Sequence, residues 1–161
     1  MKVGHMDFDK VLQLFRELER HEVEYVLVGG LALGANGIVR HTDDIDLFVR
    51  PVPDNVERLR AALGAVWDDP AIAEITAEEL AGDYPAIQYV PPGDDVSVDI
   101  LAALGEAFRF EDIESHQLEI EGVPVTVATP RMLYRMKKDT VRPQDRADAA
   151  ALREKFGLED D

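Results

Sequence analysis

The sequence predicts an α/β (α+β) fold, a small mixed sheet flanked by helices. Three observations carry that expectation. Short apolar runs such as "YVLV" and "DIDLFV" stop at glycine or proline, as strands do. Longer segments between them repeat apolar residues at helical spacing. Two segments, "AIQYVPPGDDVSVDIL" and "LEIEGVPVTVA", hold turn residues between alternating apolar stretches and read as hairpins. A length of 161 residues with 46% apolar content suits one globular domain with a real core, its central part about residues 22–104 and a C-terminal hairpin and helices over 115–157.

In "DFDKVLQLFRELERHEV", Phe8, Val11, Leu12, Phe15 and Leu18 share a helical face, with Asp7 as a candidate N-cap. "YVLVGG" is a buried strand that breaks at Gly29-Gly30. "LALGANGIV" reads as a short helix ending near Asn36-Gly37, and "DIDLFVRP" as the second strand, stopped by Pro51 and Pro53. A helix starting at Pro53 or capped by Asp54 should end near Gly64. Residues 67–84 are acidic and irregular, with a short helix after Thr76. The hairpins follow, with strands over 86–90 and 96–101 and then a turn at Glu121-Gly122. Thr129-Pro130 opens the helix "RMLYRMKKDTV", and Pro143 starts a last helix closed by Gly157.

The chain has no cysteine, so disulfides and thiolate metal sites are excluded. No stretch is long and apolar enough to span a membrane, and "MKVGHMDFDK" lacks the apolar centre of a signal peptide; a cytoplasmic location is the expectation. A formal net charge of −16 repels polyanions at long range and argues against a broad nucleic-acid footprint.

The informative anomaly is a pair of carboxylates inside a strand. Side chains alternate along a strand, so Asp44 and Asp46 project from one face, roughly 7 Å apart, while Ile45 and Leu47 enter the core. Asp99 interrupts a second strand whose Val96, Val98 and Ile100 form the buried set. Like charges so placed repel unless they are exposed or bridged by cations. Three strand carboxylates on one site suit a hard, oxygen-preferring cation, Mg2+ or Mn2+ rather than Zn2+. The glycine pair upstream offers bare backbone N–H groups to a phosphate.

Gly-Gly, thirteen residues, then Asp-Ile-Asp-Leu, with a later strand aspartate, resembles the signature of the nucleotidyltransferase superfamily of the DNA polymerase β type. The local form "VRHTDDIDL" is similar to the AbiEii-type toxin branch and its small relatives. So is "MKKDTVRPQDRADAAAL", which aligns Lys137, Arg142, Asp145 and Asp148 with that branch's C-terminal helix pattern. The resemblance implies a nucleotidyltransferase-like fold and transfer of an NMP from an NTP to a hydroxyl. It implies that Gly29 and Gly30 hold the triphosphate with Lys137, that Asp44, Asp46 and Asp99 bind two metal ions, and that Asp99 helps activate the acceptor. It also implies tRNA or another cellular target as acceptor, and an antitoxin partner.

Other readings stand beside these. Arg40 and Thr42 either orient the metal loop or complete a turn. His41 is either a polar loop residue or a ligand beside the acids, and Asp43 reads as an exposed charge next to them. Arg131, Arg135, Lys138 and Arg142 could form one basic strip along a helix. Asp145 and Asp148 fit a salt-bridged helix surface as well as they fit a supporting role. Tyr84, Tyr89 and Phe108 fit the core as well as a base clamp. The acceptor is alternatively an aminoglycoside or lincosamide, for which the acidic stretches would suit a cationic molecule. A non-catalytic, antitoxin-like module binding a nucleotide or a partner is the alternative of another class.

Overall fold

The computed structural model describes residues 2–3, 6–38, 42, 44–83, 85–93, 95–104, 107–138 and 142–158. Strands β1 (Lys2–Val3) and β2 (Met6–Asp7) pair with each other and lead directly into α1 (Phe8–Arg20), so Asp7 ends a strand at the position where an N-cap was expected. There follow β3 (Tyr25–Val28), α2 (Gly29–Ala35), β4 (Asp44–Val49) and α3 (Pro53–Val66). A 3-10 turn over Pro70–Glu74 and the short α4 (Ala77–Leu80) precede β5 (Ala86–Tyr89) and β6 (Ser97–Leu101). A second small hairpin, β7 (Ala103–Leu104) and β8 (Phe108–Arg109), is followed by β9 (Ser115–Ile120), β10 (Val123–Ala128), α5 (Pro130–Lys137) and α6 (Pro143–Phe156).

One six-stranded mixed sheet runs in the order β5-β6-β4-β3-β10-β9. Both expected hairpins form, β5 with β6 and β9 with β10. They attach to the centre through parallel pairings, β6 to β4 and β10 to β3, while β3 and β4 are antiparallel. The alternation seen in the sequence fixes the faces. Ile45, Leu47, Val98 and Ile100 are completely buried on one side, and α1 packs on α3 as part of the same core. Asp44, Asp46, Ser97 and Asp99 come up on the other side, each half-buried.

One element boundary differs from expectation. Helix α3 runs past Gly64 to Val66, because Val66 and the following Trp67 are buried and outweigh the cost of a helical glycine, about 1 kcal/mol. Helix α5 is described as Pro130–Lys137, and the rest of the expected stretch, Asp139 to Val141, lies outside the described residues. Arg142 sits at the N-cap of α6, and the single basic strip through Arg131, Arg135, Lys138 and Arg142 does not lie on one helix. Among the described residues no helix is long and apolar enough to cross a membrane.

Asn55 clamps the frame. It is fully buried at the start of α3. Its amide donates to the carbonyls of Glu24 and Arg50, each at 3.0 Å, and its oxygen accepts from the Glu24 N–H at 2.7 Å. The entry to β3 and the exit of β4 are thereby held together, which sets the two strands that flank the site.

Candidate active site

The site grows from the register of β4. Asp46 lies opposite Val28 of β3 on one side and opposite Asp99 of β6 on the other. Directly paired residues on neighbouring strands project from the same face, so two aspartates 53 positions apart in sequence become side-by-side carboxylates. Asp44 stands two residues earlier on that face, opposite Ser97. Its backbone N–H donates to the Thr42 hydroxyl at 3.3 Å, and that hydroxyl lies 3.2 Å from the Asp44 carbonyl as donor, a local turn that sets the start of the strand. Arg40, His41 and Asp43 lie outside the described residues, as does Tyr84.

The pair is electrostatically loaded. Asp46 is pushed up to about 7, first by burial, then by the charge of Asp99 and a hydrogen bond with it, and then by Asp44; Lys137 pulls in the opposite direction. Asp46 therefore holds its proton well above the usual carboxylate range. Asp99 is itself held: its Oδ1 accepts from the Ser97 hydroxyl at 3.2 Å, and that hydroxyl accepts from the Gln88 amide at 3.1 Å. Ser97 and Gln88 did not stand out in the sequence. The signal was present, since Ser97 shares the face of Asp99 and Gln88 lies directly across the hairpin from it.

Gly29 begins α2 at φ +73, a left-handed conformation that suits glycine. A Cβ built there would overlap the Asp46 carboxylate. The glycine therefore makes room for the carboxylate as well as turning the chain. Gly30, the next residue, is buried.

Lys137 closes the site from α5. Its ammonium lies 3.1 Å from Asp145 and 3.0 Å from Asp148, both on α6. Asp148 is only 4% exposed and also accepts from the Gln144 amide at 3.1 Å. These two aspartates hold the lysine that lines the cavity with Asp46. Arg142 is exposed and 3.8 Å from Asp145. Lys138 points elsewhere, over the ring of Tyr134. Tyr89 is a core residue, edge-on to Trp67 and donating to Asp69 at 2.9 Å. A cavity of about 310 Å3 joins Gly29, Asp46, Lys137, Arg142 and Asp145 to an apolar wall.

Oxygen donors, a crowded carboxylate pair and a raised Asp46 fit a hard divalent cation. The structure brings Asp46 and Asp99 together and leaves Asp44 one strand step away. Among the described residues no group of three or more His, Cys, Asp or Glu converges closely enough to hold a metal, so the expected three-ligand cluster is present as a pair plus a neighbour.

The glycine turn lies against two paired strand carboxylates with a half-buried lysine on the same cavity, and solved nucleotidyltransferase structures share the fold. A candidate nucleotidyltransferase from Thermotoga maritima superposes with a TM-score of 0.55 at 13% identity, over 92% of this chain and 91% of that one. ANT(2'')-Ia in complex with adenylyl-2''-tobramycin gives 0.53 at 17%, over 94% and 91%. An antigenic nucleotidyltransferase-like protein from Paracoccidioides brasiliensis gives 0.56 at 15%, over 91% and 77%. A sequence search of curated proteins returns no match. The family profile described as nucleotidyl transferase AbiEii toxin, type IV TA system, matches residues 13–153, and the chain belongs to that family.

Proposed function

We propose that the protein is a metal-dependent nucleotidyltransferase that moves an NMP from an NTP to a hydroxyl, and acts as a toxin on tRNA or another cellular target. The observation that carries this reading is the in-register pair Asp46–Asp99, with the Gly29 backbone and the Lys137 ammonium facing the same cavity. Asp44, Asp46 and Asp99 would hold Mg2+ or Mn2+. Bound there, the metal supplies charge neutralisation and polarises phosphoryl oxygens.

Charge balance supports the metal requirement. Around the cavity, the carboxylates of Asp44, Asp46, Asp99, Asp145 and Asp148 outnumber the cations Lys137 and Arg142. A triphosphate would be repelled from that surface unless divalent charge came with it. Lys137, held in place by Asp145 and Asp148, contacts the phosphates. Gly29 and Gly30 let the phosphates approach the backbone. Asp99, oriented by Ser97, receives the acceptor hydroxyl and draws off its proton. Thr42 sets the turn leading to Asp44, and Arg142 guards the entrance. The family description supports an antitoxin as partner.

The test is direct. Protein, Mg2+ and each of four labelled NTPs are incubated with total tRNA, with aminoglycosides and with the protein alone. Pyrophosphate release with a labelled acceptor, absent in Asp46→Asn, is expected. Equal metal–NTP binding by both forms with no turnover against any acceptor sinks the enzyme reading in favour of a binding module. Expression separates the acceptors: growth arrest that is lost in Asp44→Ala marks a toxin, and raised aminoglycoside resistance marks an antibiotic-modifying enzyme.

A further inference from the structure

The cavity beside Asp46 has two unlike ends. One is charged, formed by Asp46, Lys137 and Arg142. The other is aliphatic, formed by Leu101 at the end of β6, Leu104 of β7, and Leu133 and Met136 of α5. Hydrated ions and phosphates gain nothing from aliphatic walls. Such walls favour a ligand part that is flat and weakly polar and that leaves water on binding. Leu104 is 38% exposed, one of few large apolar side chains left at the surface among the described residues, so the wall has apolar area available to a ligand. A volume of about 310 Å3 lies within the range of small-molecule sites.

A ligand that is anionic at one end and flat and apolar at the other matches this polarity, with its anionic part at the metal-binding pair. We propose that Leu101, Leu104 and Met136 seat the base and sugar of the NTP, and that the seat grips by apolar contact without reading hydrogen bonds on the base. The inference rests on the nucleotidyltransferase reading and names a property of its site that the reading leaves open. Away from the charged end, the described wall residues carry no hydrogen-bonding side chain. Apolar pockets separate related ligands by about 10–200-fold, whereas hydrogen-bonding sites separate them by 10⁴ or more. The four NTPs should therefore bind within roughly 100-fold of one another.

Binding of Mg2+–NTPs is measured at equilibrium for the wild type, Leu104→Ala, Met136→Ala and Met136→Leu, with inorganic tripolyphosphate as a probe that has phosphates and no base. Leu104→Ala and Met136→Ala should weaken every NTP about tenfold and leave tripolyphosphate unchanged, while Met136→Leu stays close to wild type. Leu104 is exposed enough for its alanine variant to fold, and circular dichroism checks both. Equal loss of NTP and tripolyphosphate, no loss of either, or a preference for one base beyond a thousandfold overturns the seat while the enzyme reading survives. Variants that leave NTP affinity intact and raise the KM for the acceptor place the acceptor on this wall and overturn it too. Failure of the wild type to bind any metal–NTP or tripolyphosphate removes both this inference and the function on which it rests.

Discussion

Gly29 meets two constraints at once, a left-handed φ and a carboxylate where its Cβ would stand. Gly29→Ala should cost about 1–3 kcal/mol in denaturant unfolding and displace Asp46, with activity falling at least tenfold. Shortening the obstructing side chain, in Gly29→Ala/Asp46→Gly, should recover part of the stability and none of the activity. Asp46 has the opposite character, a group the fold holds at a cost. Its carboxyl titrates at about 7 in the folded protein against 3.8 without perturbation. The folded state thus binds the proton more tightly, so stability is fullest below about pH 4 and is lost as pH rises through 7. Asp46→Asn removes that loss. In metal-free buffer the variant should melt about 3–5 °C above wild type at pH 8, with the gap closing toward pH 4. Mg2+ should raise the wild-type Tm more at pH 8 than at pH 6 and barely move the variant.

The α5–α6 pair works as a unit. Lys137 on one helix and Asp145 and Asp148 on the other form a nearly dry triad, with Asp148 the most enclosed member. Removing one partner of a buried pair leaves an uncompensated charge, so Asp148→Ala should destabilise the fold by about 3 kcal/mol. It should also lower kcat, because Lys137 then loses its 3.0 Å partner and shifts toward Asp46. Asp145→Ala, which leaves Asp148 in place, should cost less on both measures, as comparative urea melts and steady-state rates would show. The two hairpins and most helices were legible, because alternation, turn residues, prolines and capping threonines are local signals. The contact of Lys137 with α6 was not. The C-terminal pattern grouped Lys137 with Asp145 and Asp148, but helical periodicity does not report that residues eight and eleven positions ahead on another helix touch it.

Across the whole molecule, 33 acidic residues face 17 basic ones. Such an excess repels itself when the chain is compact, and salt screens that repulsion. The wild-type Tm should therefore rise by several degrees, roughly 3–6 °C, between 20 and 300 mM NaCl in differential scanning calorimetry. A protein stabilised instead by surface ion pairs would move the other way.

By itself the sequence determined most of the elements and the family. Strand alternation put Asp44 and Asp46 on one face and Ile45 and Leu47 in the core, and the glycine pair with its spacing to Asp-Ile-Asp marked the family. What it left open was pairing between segments far apart in the chain. Only the tertiary structure decided that β6 lies parallel to β4 with Asp99 opposite Asp46, that β10 inserts beside β3, and that Lys137 of α5 is held by aspartates of α6. The physical reason is that periodicity reports which face of a segment is buried, whereas register between distant strands depends on how the whole core packs. The charge on Asp46 and the space at Gly29 exist only once that register is made.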